Sequence, residues 1–113
     1  MPRTVRASVT WVGRGLFTGG RCRVRLSPAA DGYWVSLNGA LAERIAHHHL
    51  APLPLRSRLL LDAGPLSTPE HLLAALVLLD LDGASIAVDG SEIPLLDGSS
   101  LPFLRALLGV GVT

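Results

Sequence analysis

Glu70 and His71 are the residues of this chain best suited to chemistry. They are adjacent, and they stand at the head of an apolar stretch that runs from Leu72 to Leu81. A neutral imidazole can ligate a metal while a neighbouring carboxylate takes a proton from metal-bound water. A helix N-terminus carries partial positive charge, which favours an ionised Glu70 ready to act as a base. The plain alternative is structural: Glu70 as the N3 partner of a capping box and His71 as a satisfied, half-buried histidine. One histidine does not hold a catalytic zinc, which takes three protein ligands and keeps one position open. His47-His48-His49 offers further nitrogens. On a strand His47 and His49 share a face and His48 points away. A site built from His47, His49 and His71 is one reading, and a polar edge strand is the other; nothing in the sequence brings the two segments together.

The elements that must position this pair follow from periodicity. Ser67-Thr68-Pro69-Glu70 has the spacing of a capping box with proline in the first turn, and predicts a helix over Leu72–Leu81. That stretch is rich in Leu and Ala and apolar almost all round, so it predicts a buried helix, stopped by Asp82-Gly83. Upstream, Val5, Ala7, Val9 and Trp11 alternate with Arg6, Ser8 and Thr10, the period of a strand with one buried face. Thr18-Gly19-Gly20 supplies a turn, after which Cys22, Val24 and Leu26 alternate with Arg21, Arg23 and Arg25, predicting a hairpin. Tyr33–Leu37, residues 42–50 and Arg58–Leu61 read as further strands, separated by Asn38-Gly39 and by Pro52 and Pro54. Ile86 and Val88 mark a short strand, and a second helix is predicted near Pro102–Leu108, with Gly109 and Gly111 able to end it. The order predicts an α+β fold: a two-layer sandwich of one mostly antiparallel sheet with two helices on one face, as a single domain over residues 1–113.

Bulk properties exclude several classes. With 113 residues, 49% of them hydrophobic, the chain has enough apolar surface for a core without disulfides. Its one cysteine, Cys22, cannot form an internal bridge, which fits a reducing cytoplasm. The N-terminus has no apolar run of signal-peptide type, and the run from Leu72 to Leu79 is far short of the roughly 20 residues that span a bilayer. No transmembrane segment is expected, and the cytoplasm is the expected location. The formal charge of +1 gives no whole-chain pull toward nucleic acid. Arg21, Arg23 and Arg25 read either as a basic stripe or as a solvated strand face; no aromatic residues interleave with them in the manner of a single-strand-binding surface, so no nucleic-acid partner is expected.

Four segments resemble the N-terminal domain of the UDP-3-O-acyl-N-acetylglucosamine deacetylases, the zinc enzymes of lipid A biosynthesis. They are Arg3-Thr4-Val5; Gly13-Arg14-Gly15-Leu16-Phe17-Thr18-Gly19; Ser67-Thr68-Pro69-Glu70-His71-Leu72-Leu73-Ala74-Ala75-Leu76; and Glu92-Ile93-Pro94-Leu95-Leu96-Asp97-Gly98-Ser99, continuing to Pro102-Phe103. The resemblance implies that His71 is one of three protein ligands to Zn2+ and that Glu70 is the general base. It implies a UDP-linked acylated amino sugar as substrate, with hydrolysis of its acetamide. It also implies a partner, either a second domain of the same enzyme or a complementing chain, carrying the other two zinc ligands and the general acid. Alone, the chain is expected to be inactive. The sequence departs from the family at Phe17, where a GxGLHSG-type segment has histidine, at Pro69, where valine is usual, and in a shortened segment before Ser67. A first-turn position tolerates Pro69; Phe17, the shortened segment and the missing second half leave open an alternative, a non-catalytic relative acting as a binding or assembly module. Asp97-Gly98-Ser99 reads as cap and turn chemistry, not as a catalytic group.

Overall fold

Alternation of apolar and charged residues builds the first hairpin. In the computed structural model, which describes residues 2–46, the backbone of 50–52, and 57–113, β1 (Val9–Arg14) pairs antiparallel with β2 (Arg21–Ser27), Trp11 opposite Val24. Cys22, Val24 and Leu26 are buried and Arg21, Arg23 and Arg25 are exposed, as the period of two requires. The predicted first strand starts later than its alternation suggests. Val5 is buried, but it forms an isolated bridge with Val112, and Arg6 N–H donates to Gly111 O, so the chain's C-terminal end claims this segment instead.

β3 (Gly32–Leu37) turns through Asn38 and Gly39, both at positive φ, into a two-residue β4 (Glu43–Arg44). The strand around Ile86 and Val88 is longer than read from sequence: β8 (Gly83–Asp89) lies between β2 and β3, giving the order β1-β2-β8-β3-β4. It runs antiparallel to β2 and parallel to β3, so the sheet is mostly antiparallel with one parallel pair. Gly83 opens this strand because a Cβ there would collide with the carbonyl of Ala29.

A small second sheet was not legible. β5 (Leu50–Pro52), β6 (Ser57–Leu61) and β7 (Gly64–Ser67) pair antiparallel in that order. Gly64-Pro65 reads as a breaker, but an edge strand tolerates proline because that edge needs no N–H donor. The single strand expected over 42–50 is thus split between β4 in the first sheet and β5 in the second; residues 47–49 lie outside the described ones.

The α+β class holds, with α1 (Glu70–Leu78) and α2 (Leu101–Val110) packed over one core. Val24, Leu26, Leu72, Leu76 and Leu107 are fully buried there, and burial of each such side chain contributes about 1.5–3 kcal/mol. Phe103 meets Trp11 edge-on, ring centroids 5.0 Å apart at 69°. Gly111, at φ 87°, ends α2.

Two expectations for α1 are corrected. It ends at Leu78, and Asp80 takes a left-handed conformation before Asp82-Gly83 is reached. Nor is it buried all round: Leu72, Ala75 and Leu76 face the core, while Val77 (67% exposed) and Leu78 (68%) face outward. The helix lies at the surface, and an evenly apolar sequence does not encode which side meets the core. With Ser57, Glu70, Leu73 and Ala74, these outward residues line an open groove of about 520 Å³.

Tyr33 donates its hydroxyl to Leu81 O at 2.6 Å, and burial, helped by the nearby negative charges of Asp82 and Asp80, raises its pKa. A raised folded-state pKa gives stability that is full below the unfolded value and is lost as pH climbs through the folded one. Thermal unfolding measured between about pH 9 and about pH 11, either side of tyrosine's ordinary value, should therefore drop more steeply for the native chain than for Tyr33→Phe. Parallel slopes would remove Tyr33 as the cause.

Candidate active site at the start of the first helix

The chain enters α1 through a pinned turn. Ser67 closes β7 and is bridged in parallel to Glu92; Ser67 N–H donates to Ser91 O at 2.9 Å and Ile93 N–H to Ser67 O at 3.0 Å. Thr68 sits at φ 56° with its hydroxyl 2.7 Å from Ser67 O and 3.0 Å from Ile93 O. Pro69 is the N-cap, with no side-chain capping bond, and Glu70 is the first helical residue. The expected capping box is therefore absent: Ser67 is committed to β7, and its distance in sequence from the helix start does not match the motif. Proline serves at this boundary because its fixed φ suits a helix entry and it brings no N–H to satisfy.

This entry leaves the two candidate residues available. Glu70 is exposed, and its Oε2 accepts a hydrogen bond of 2.7 Å from Ser57 Oγ on β6. His71 is half-buried, and among the described residues none bonds or pairs with its ring. The ring is neither walled into the core nor tied to its own chain. As a donor set, one unengaged imidazole beside one carboxylate fits a partial metal site, short of the three protein ligands a catalytic zinc takes. Among the described residues no three His, Cys, Asp or Glu side chains converge. His47 and His49, and any site they form with His71, lie outside the described residues.

Sequence reasoning missed Glu92. It is 1% exposed, and its carboxylate accepts from Phe17 N–H (3.0 Å), Thr18 N–H (2.9 Å) and the Thr18 hydroxyl. The backbones of its neighbours, Ser91 O and Ile93 N–H, hold Ser67 at the entry to α1, so the Ser91-Glu92-Ile93 stretch joins the Gly15–Gly20 loop to the Glu70-His71 segment. Gly15 is needed because a Cβ there would overlap the Glu92 carboxylate. The available signal was a single carboxylate heading the apolar run Ile93-Pro94-Leu95-Leu96. Ser57, the partner of Glu70, had no sequence signal at all. Asp97 behaves as read: Ser99 Oγ (2.7 Å) and Ser99 N–H (2.9 Å) donate to its Oδ1, and these bonds hold its carboxyl below the usual range. Burial pushes the Cys22 thiol up, which keeps it protonated and unreactive.

The family described as LpxC: UDP-3-O-acyl N-acetylglycosamine deacetylase matches residues 2–113. The chain belongs to this deacetylase family. A UDP-3-O-acyl-N-acetylglucosamine deacetylase of Haemophilus influenzae (strain 86-028NP) is 37% identical over 116 residues, covering 97% of this chain and 38% of the relative. That of Phenylobacterium zucineum (strain HLK1) is 39% identical over 112 residues, covering 92% and 38%. That of Nitratidesulfovibrio vulgaris is 31% identical over 116 residues, covering 96% and 37%. The chain thus spans less than two-fifths of the length of the curated relatives it matches. The three longest segments that resemble the deacetylase family meet in space: Gly13–Gly19 and Ser67–Leu76 are both tied to the run starting at Glu92, the former also through Leu95 N–H to Arg14 O at 3.1 Å.

Proposed function

We propose that this chain is the N-terminal portion of a zinc-dependent UDP-3-O-acyl-N-acetylglucosamine deacetylase of lipid A biosynthesis. One observation carries the reading: Glu70 and His71 sit side by side at the solvent-reached start of α1, with the imidazole unengaged by any described residue. His71 is then one of three protein ligands to zinc, the other two coming from a second domain of the same enzyme or a complementing chain. Zinc bound there supplies Lewis-acid polarisation and a water nucleophilic at neutral pH. Glu70 takes the proton of the attacking water, and the Ser57 hydroxyl on Oε2 fixes the carboxylate's orientation. The water oxygen bonds to the acetamide carbon, the general acid of the second domain or complementing chain gives its proton to the amide nitrogen, the carbon–nitrogen bond breaks, acetate leaves, and the amine stays on the sugar. A reducing cytoplasm suits a chain whose one cysteine, Cys22, is a buried free thiol.

Acetate release from the UDP-linked acylated sugar tests the reading. It is expected when the chain is joined to the part of the Haemophilus influenzae relative beyond the matched residues, and not from the chain alone. A folded, zinc-loaded fusion without activity would favour the second reading, a non-catalytic binding or assembly module, for which Phe17 in place of the family's histidine speaks. Metal analysis after dialysis is a further check: the chain alone should hold far less than one equivalent of zinc. Tight one-to-one uptake would contradict this and return attention to His47 and His49.

A further inference from the structure

The open face of the five-stranded sheet, opposite the helices, carries a cluster of four arginines against one acid. Arg14 on β1 stands directly across from Arg21 on β2, and Arg23 and Arg25 continue the same face of β2. Residues two apart on a strand are separated by about 6.7 Å and neighbouring strands by about 4.8 Å, so four guanidinium stems share a patch about 13 Å long. Arg14 gives one N–H to Gly19 O. The side chains of Arg21, Arg23 and Arg25 make no hydrogen bond or ion pair with any described residue. Asp89, opposite Arg23 on β8, is the one acid on this part of the face, and Asp31 at the far edge pairs with Arg44 at 3.3 Å. Like charges directly opposed across strands destabilise a sheet, and an external anion reverses that sign.

We propose that this face docks on the headgroups of an anionic phospholipid bilayer. Three features select a lipid surface. The face is a broad sheet with one shallow, open depression at Val12, Gly13, Arg14 and Arg21, and Val12, 46% exposed, sits among the arginines opposite Arg23. Trp34, half-buried, lies on the same face two strands further on, the residue type that settles at membrane interfaces. It faces Arg44 but stands two strands from Arg21, Arg23 and Arg25, so successive bases of a single strand have no stacking ladder between those cations. All ten cationic side chains of the chain are arginine, whose planar fork grips phosphate oxygens two at a time and sheds water more readily than lysine. The inference stands whether or not the deacetylase reading does.

The test is co-sedimentation of the 113-residue chain with vesicles of phosphatidylcholine alone or with added phosphatidylglycerol. Binding should require phosphatidylglycerol and weaken with salt. Each arginine at an anionic surface contributes about a factor of five in partitioning, so the triple change Arg21→Gln, Arg23→Gln, Arg25→Gln should lower it about 100-fold. Arg105→Gln, an exposed position of α2 on the other side of the sheet, should change it less than about twofold. If the triple variant fails to fold by circular dichroism, Arg23→Gln alone should still lose about fivefold. Equal binding to phosphatidylcholine, or an equal loss at Arg105, overturns the proposal. So does tighter binding of a single-stranded oligonucleotide than of vesicles, which assigns the face to nucleic acid. Displacement by inorganic phosphate beyond that by chloride at matched ionic strength assigns it to a discrete phosphate site and likewise overturns the docking surface.

Discussion

Glu70→Gln is expected to cut acetate release by the reconstituted enzyme about 100- to 10,000-fold, the range a lost general base produces. The amide keeps the shape of the carboxylate and can still accept the Ser57 hydroxyl bond, but it cannot take a proton from water. Zinc content and KM should stay near those of the native form, because the change touches proton transfer and not ligation. Glu70 is exposed, so stability should shift by no more than about 0.5 kcal/mol, which separates this loss from unfolding. His71→Ala should do the reverse, lowering bound zinc first and activity with it. Retention of full turnover in Glu70→Gln at unchanged metal content would sink the base assignment and, with it, the main reason to read this chain as catalytic.

The second large effect concerns the loop that faces the same region. Gly15→Ala should destabilise the chain by about 1–3 kcal/mol, as overpacking at a site that cannot yield does. At about 4–8 °C per kcal/mol for a domain of this size, Tm falls by several degrees or more. The added methyl meets the Glu92 carboxylate, which cannot step aside without releasing Phe17 N–H, Thr18 N–H and the Thr18 hydroxyl. Glu92→Ala loses the same bonds directly, leaving donors unsatisfied at about 1–3 kcal/mol each where they stay buried. The two changes share one contact, so the double variant should be markedly more stable than the sum of the singles predicts. Strict additivity by thermal or urea unfolding would mean that Gly15 is there for another reason.

What the sequence made legible was local. Alternation in Arg21–Ser27 sorted buried from exposed residues, and α2 was found because Pro102 near its start and Gly111 after its end are local signals. What it hid was non-local. No periodicity says that β8 inserts between β2 and β3, or that Val5 bridges Val112 instead of extending β1. The Ser67–Glu70 spacing suggested a capping box because motif spacing is blind to a strand that ends on the same serine. At the site, Glu70 and His71 were visible as residue types, whereas Ser57 and Glu92 act through contacts made across the chain.

The central position of β8 sets the order in which the molecule can be built. Every other strand of its sheet emerges from the ribosome earlier, yet β2 and β3 touch only through it, Leu26 and Val35 both pairing with Ile86. Until Asp89 has been synthesised the nascent chain holds two disconnected hairpin fragments, each with an uncovered apolar side. Closure then depends on contacts of high sequence separation, the topology that folds slowly and exposes strand edges to wrong partners. Chaperone engagement is therefore to be sought in the interval between translation of β4 and of β8.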